Sequence, residues 1–83
     1  MSRVICLGEA VVDFMAEPPC ERLTDASAFV PSFGGSQANV AVGAARLGAG
    51  SALAGCAGTD PWGVWLRGRL ASEGVDVSLY TLR

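Results

Sequence analysis

Residues 33–48 read Phe33-Gly34-Gly35-Ser36-Gln37-Ala38-Asn39-Val40-Ala41-Val42-Gly43-Ala44-Ala45-Arg46-Leu47-Gly48, and the rest of the chain is read from this stretch. The pair Gly34-Gly35 can take backbone conformations closed to other residues, and it lets a ligand approach the main chain. From Ser36 to Leu47 the residues are mostly small and apolar, with no proline, so a helix can follow at once. Gly48 then supplies the left-handed stop common just past a helix end. A helix opened by two glycines leaves backbone N–H groups unpaired in its first turn, and such an end suits oxygen-rich ligands. A glycine turn that merely packs a helix on a sheet carries the same pattern. Asn39 shifts the reading towards a ligand site, because its amide lies about one turn into the helix, within reach of that end.

Upstream, Val4-Ile5-Cys6-Leu7 is a short apolar run ending at Gly8. Apolar on both faces, it reads as a central strand of a parallel sheet. Glu9 to Met15 continues it, with Asp13 set among apolar residues just past the strand's carboxyl end. That edge is where ligands sit in open α/β sheets, and a carboxylate there is costly to bury without hydrogen bonds. A turn or capping aspartate is the plainer alternative. Residues 16–27, with Pro18-Pro19, are looser, and 28–33 form a short edge strand in which Pro31 limits pairing. This segment reads as a flap.

Within the helix, Ala38, Ala41, Val42, Ala44 and Ala45 let it lie close to a sheet. Gly43 costs about 1 kcal/mol against alanine and so implies a packing reason. Ser51 to Ala57 reads as a second parallel strand, completing a β-α-β unit that is expected to be right-handed. Asp60 and Pro61 suit the N-cap and first position of a second helix. Its Trp62, Trp65, Leu66 and Leu70 recur at helical spacing and are expected in the core. Arg67 and Arg69 flank that stripe and are expected in solvent. Gly74 ends the helix, and residues 75–82 alternate as a half-buried strand.

Composition narrows the function. At 83 residues the chain makes one small domain at most, and 51% hydrophobic against 17% charged residues implies surfaces that expect to be covered. The net charge of −2, with no basic cluster, argues against nucleic acid. No run reaches the roughly 18 apolar residues of a membrane span, and the start is too short and too strand-like for a signal peptide. The chain has no histidine, which excludes Ser-His-Asp and Cys-His nucleophile systems and histidine metal sites. It has no lysine, which excludes a Walker P-loop. Cys6, Cys20 and Cys56 have no zinc or redox spacing and are expected as small buried residues of a cytoplasmic protein.

Four blocks carry a resemblance: Leu7-Gly8-Glu9-Ala10-Val11-Val12-Asp13, Gly34-Gly35-Ser36-Gln37-Ala38-Asn39-Val40-Ala41, Arg46-Leu47-Gly48, and Gly55 through Gly63. In order and at the family's spacing, they resemble the amino-terminal part of the PfkB (ribokinase-like) carbohydrate kinases. The resemblance implies an α/β fold, a three-layer α/β/α sandwich with a parallel βαβ core and a small β lid. That lid would be built from about residues 13–33 and from the last strand, 76–83. The resemblance implies ATP-dependent phosphorylation of a sugar hydroxyl, with ATP and Mg²⁺ as cofactors and a small-molecule sugar as partner. It allows a homodimer paired through the lid edge.

In the family the position of Asp13 binds sugar hydroxyls, Gly34-Gly35 passes near the sugar, and the position of Asn39 hydrogen-bonds it. Vicinal hydroxyls suit a carboxylate and an amide held on rigid elements. Ribokinases carry Asn where Val11 stands and Lys-Gly where Ser36-Gln37 stands. Gly8-Glu9-Ala10 followed by Asp13 is closer to fructokinases and 2-keto-3-deoxygluconate kinases, so a hexose or keto-sugar acid is favoured. The family's second signature, with its catalytic Asp and anion hole, falls beyond residue 83, as does the adenine pocket. Residues 1–83 are therefore expected to be the amino-terminal portion of a kinase domain, with part of the sugar site, no catalytic residue and no activity alone. Two other readings compete: a non-catalytic sugar-binding module, and half of a dinucleotide-binding domain. The second lacks the G-x-G-x-x-G that should follow its first strand.

Overall fold

Apolar runs and glycine stops divide residues 3–83, the part that the computed structural model describes, into seven main elements. These are β1 (Arg3–Leu7), β2 (Val11–Ala16), β3 (Phe29–Gly34), α1 (Ser36–Arg46), β4 (Gly50–Ala57), α2 (Pro61–Ser72) and β5 (Tyr80–Leu82), with a 3₁₀ turn at Leu23–Asp25. They form two sheets. One is parallel in the order β1-β4-β5, and the other is the antiparallel pair β2-β3.

The register of the parallel sheet decides where the core lies. Cys6 pairs with Leu53, and Gly55 pairs with Tyr80. Side chains alternate along a strand, so Cys6, Ser51, Leu53 and Tyr80 share one face. Both helices cover that face: Ala38, Ala41 and Val42 of α1 and Leu66 and Leu70 of α2 join Cys6, Leu53, Val75, Val77 and Tyr80 in one cluster. Tyr80, Leu53 and Leu70 are its largest fully buried side chains, and full burial of an apolar side chain stabilises by roughly 1.5–3 kcal/mol. Ser51, the buried polar residue here, donates to the Ala41 carbonyl at 2.6 Å and so ties α1 to β4. On the opposite face Ile5 and Leu7 remain 61% and 79% exposed.

Both helices end as their sequences dictate. Asp60 accepts a hydrogen bond from the Gly63 N–H at 2.8 Å, with Pro61 in the first position. Gly48 and Gly74, at φ 88° and 89°, turn the chain out of α1 and α2. Arg46 at the end of α1 reaches Glu73 at the end of α2, with N–O 2.8 Å.

Several expectations change. β1 lies at the edge of the described sheet and β4 at its centre, because β5 pairs on the far side of β4. The alternating pattern of 75–82 condenses to one bridge, Asp76 to Ala52, a turn, and β5. Residues 76–83, expected partly with the lid, thus join the parallel sheet, and the antiparallel pair comprises only segments 11–16 and 29–34. Arg67, expected in solvent, donates to the carbonyls of Tyr80 at 2.7 Å and Val77 at 2.9 Å and pins that turn to α2. Gly43 makes no close approach: a Cβ there would meet nothing within 4 Å. Of the cysteines only Cys6 is buried; Cys20 and Cys56 are exposed. Leu66 and Leu70 are core, while Trp62 at 44% exposure is not.

Candidate functional site

Asp13 is the third residue of β2 and lies opposite Ser32 in the hairpin, so the sequence expectation of a carboxylate just past the first strand becomes a carboxylate on the lid. Period-two alternation gives the hairpin two unlike faces. Val11, Asp13 and Met15 of β2 lie with Val30, Ser32 and Gly34 of β3 on one face. Val12, Phe14 and Phe33 lie on the other, where Val12 and Phe33 pack against the core. The face that carries Asp13 is open: Asp13 itself is exposed, as are Met15 and Val30. Among the described residues nothing forms an ion pair with the Asp13 carboxylate.

Gly34 makes room for that carboxylate. A Cβ at Gly34 would run into Asp13 Oδ2 and would lie 3.3 Å from Val11 Cγ2. With the carboxylate in this position, only a residue without a side chain fits beneath it. Gly35 has a different reason. Its φ of 96° lies in the region that favours glycine, and a Cβ would sit 2.9 Å from the Glu9 carbonyl and 3.1 Å from the Ala10 Cα. The pair thus turns the chain from lid strand into α1 while touching the 9–10 link from β1.

At α1 the N-cap Gly35 supplies no side-chain cap, and no acidic residue stands in the first turn. The first helical hydrogen bond runs from the Asn39 N–H to the Gly35 carbonyl at 2.9 Å. The N–H groups ahead of it are the donors that a helix leaves unpaired. Asn39 is exposed one turn in, beside the buried Ala38. The structure therefore joins Asp13, Gly34 and Gly35 directly, and ties Asn39 to them through the helix start. Gln37, noted in the sequence only as a departure from the ribokinase pattern, belongs to the same junction: a Cβ at Gly8 would lie 2.5 Å from its Cγ, so the end of β1 rests on the first turn of α1.

The shifted acids lie elsewhere. A hydrogen bond from Arg46 holds the Glu73 carboxyl below its ordinary range. The Ser78 backbone N–H, with lesser help from the Ser78 side chain and Arg3, does the same for Asp76. Burial pushes the Tyr80 phenol up. Among the described residues no three acidic or cysteine side chains gather as a metal-holding group, and no helix is long and apolar enough to cross a membrane.

The chain matches the family model described as pfkB family carbohydrate kinase over residues 1–82. It is 43% identical over 77 residues to a fructokinase of Escherichia coli, a stretch that covers 93% of this chain and 23% of that protein. Among solved structures it superposes on a PfkB protein from Polaromonas sp. with TM-score 0.90 at 38% identity, covering 98% of this chain and 27% of the other. An uncharacterized sugar kinase from Pyrococcus horikoshii in complex with ATP gives TM-score 0.87 at 35% identity, with 96% and 26% covered. The chain spans about a quarter of the length of these relatives. The fold is that of the ribokinase-like kinases; of the three layers, the sheet and one helical layer are present here together with a lid hairpin.

Proposed function

The chain belongs to the pfkB family of carbohydrate kinases, and on that footing we propose that the whole protein is an ATP-dependent kinase of a sugar hydroxyl. In this reading residues 11–39 hold one side of the sugar. The observation that carries it is the Asp13 carboxylate, which among the described residues forms no ion pair, on the open face of the lid and directly over Gly34. Asp13 accepts hydrogen bonds from neighbouring hydroxyls, since an ionised carboxylate is acceptor-only. Asn39 both donates and accepts, and so can pair with a sugar hydroxyl in either sense. Gly34 and Gly35 keep the backbone bare beneath the ring. Phosphoryl transfer depends mostly on positioning and charge stabilisation, and positioning the acceptor is the part these residues perform.

ATP and Mg²⁺ are required by such a reaction and supply the phosphoryl group and its charge neutralisation. We assign neither of them to residues of this chain. Its role is confined to the sugar, and no catalytic residue is assigned to it. The sugar we favour is fructose or a keto-sugar acid, on the likeness to fructokinases. The bare face with Ile5 and Leu7 would be covered by the second helical layer of the whole protein. The hairpin's free strand edges leave scope for a homodimer through the lid, and we place the protein in the cytoplasm.

The test is ADP release by the natural gene product, purified intact, with fructose, glucose, ribose and 2-keto-3-deoxygluconate in turn. Turnover of one of them, with Asp13→Asn losing about 10- to 150-fold in kcat/KM, is expected from one charge-assisted hydrogen bond. Sugar binding without ADP release would favour a non-catalytic sugar-binding module of the same fold.

A further inference from the structure

Asp13 is useful to a sugar only if the lid holds it still, and its two neighbours in sequence show how that is done. Val12 and Phe14 point to the opposite face of β2. Val12 packs on the core. Phe14 does not reach the core and is 49% exposed, yet its ring meets Trp62 edge-on, with centroids 4.9 Å apart and planes at 87°. Trp62 in turn stands edge-on to Trp65, with centroids 5.9 Å apart. Trp62 is 44% exposed and follows Pro61 in the first turn of a helix whose start is fixed by Asp60. At the outer end of the hairpin Phe29 is 46% exposed. The backbone of Asp13 is thus anchored through both of its sequence neighbours, by Val12 on the core and by Phe14 on Trp62.

We propose that Trp62 is a positioning residue for the sugar site, acting through Phe14 to fix the lid strand that carries Asp13. This rests on the reading of Asp13 as a sugar ligand. Two half-exposed aromatics contribute little as core, because each keeps much of its surface in water. An edge-on pair gives direction as well as contact, since ring edge and ring face carry opposite partial charge. Placed one residue from Asp13, that direction steadies the strand that carries the carboxylate. Trp62 touches no reacting atom. Its removal should cost sugar affinity and leave the chemical step alone.

The experiment is steady-state kinetics of the natural gene product, varying sugar at saturating ATP and then ATP at saturating sugar. Trp62→Ala is expected to raise KM for the sugar about two- to tenfold, the range of an edge-on aromatic pair. Its kcat and KM for ATP should stay at the wild-type values. Trp62→Phe, which keeps a ring edge for Phe14, restores the sugar KM. Phe14→Leu reproduces the defect, and adding Trp62→Ala to it makes matters no worse. Phe14→Leu also serves as the variant to read if Trp62→Ala does not fold. A wild-type sugar KM in both variants, or a loss shared equally by kcat and both KM values, overturns the positioning role while leaving the sugar-site reading intact. A wild-type protein that neither binds nor phosphorylates any sugar overturns the reading of Asp13, and the positioning role falls with it.

Discussion

Gly34→Ala gives the sharpest test of the site, because the added atom falls on the group that the site is built around. The backbone of Gly34 carries no positive φ, so alanine fits the main chain. The obstacle is spatial. The new Cβ collides with Asp13 Oδ2 and comes within 3.3 Å of Val11 Cγ2. Asp13 is exposed, so its carboxylate can rotate away, and Val11 is a single methyl contact. The stability cost therefore belongs at the low end of overpacking, about 1 kcal/mol. The functional cost is larger. The rotated carboxylate no longer meets the sugar hydroxyl, and a hydrogen bond to a charged group is worth about 1.5–3 kcal/mol, or about 10- to 150-fold in affinity. Sugar affinity by calorimetry and the urea midpoint, measured together on the natural gene product, separate the two. The same substitution made on top of Asp13→Ala should cost almost no further affinity, because the clash has lost its object. Wild-type sugar affinity in Gly34→Ala, or full additivity with Asp13→Ala, would refute the reasoning.

Gly43→Ala should stabilise by about 1 kcal/mol, since the helix gains propensity and the Cβ enters open space; an unchanged or lower urea midpoint would mean that something else in the protein approaches there. Arg67→Met should lower the urea midpoint by the equivalent of about 1.5–3 kcal/mol for each of its two charge-assisted bonds to the 77–80 turn, with burial of the stem retained. Glu73 and Asp76 have folded-state pKa values below their ordinary ones. Their contribution is full above the ordinary carboxylate range, near pH 4, and is lost as pH falls through the depressed values. Stability measured against pH should therefore drop on the acid side, and Glu73→Gln should flatten part of that drop. Tyr80 titrates the other way: its raised pKa gives stability that is full below about pH 10 and lost as pH rises further.

Part of the candidate site could be picked out because Gly34, Gly35 and Asn39 lie in one short stretch. Asp13, Gly34, Gly35 and Asn39 were all singled out from the sequence, and the structure joins the first three directly. The role of Gly34 was not legible in detail, since it depends on Asp13 lying across a strand pair twenty-one positions away in sequence. Trp62 was read as core on helical spacing, and spacing places a residue on a helix face without saying what lies opposite. The strand nature of 11–16 was written in the alternation of Val12 and Phe14 against Val11, Asp13 and Met15, but the run followed β1 so closely that it read as its tail.

The sequence by itself determined the elements whose signals are short-range. The apolar runs of β1 and β4, the Asp60-Pro61 start, and the stops at Gly48 and Gly74 each depend on a few neighbouring dihedrals and hydrogen bonds. Tertiary structure alone decided that β4 is the central strand, that 80–82 joins the parallel sheet, that Arg67 holds a turn, and that Gly43 faces open space. Those outcomes depend on which distant surfaces meet. An alternating pattern is the same whether its strand pairs with a lid or a sheet, and only packing against β4 and the main core cluster distinguishes the two.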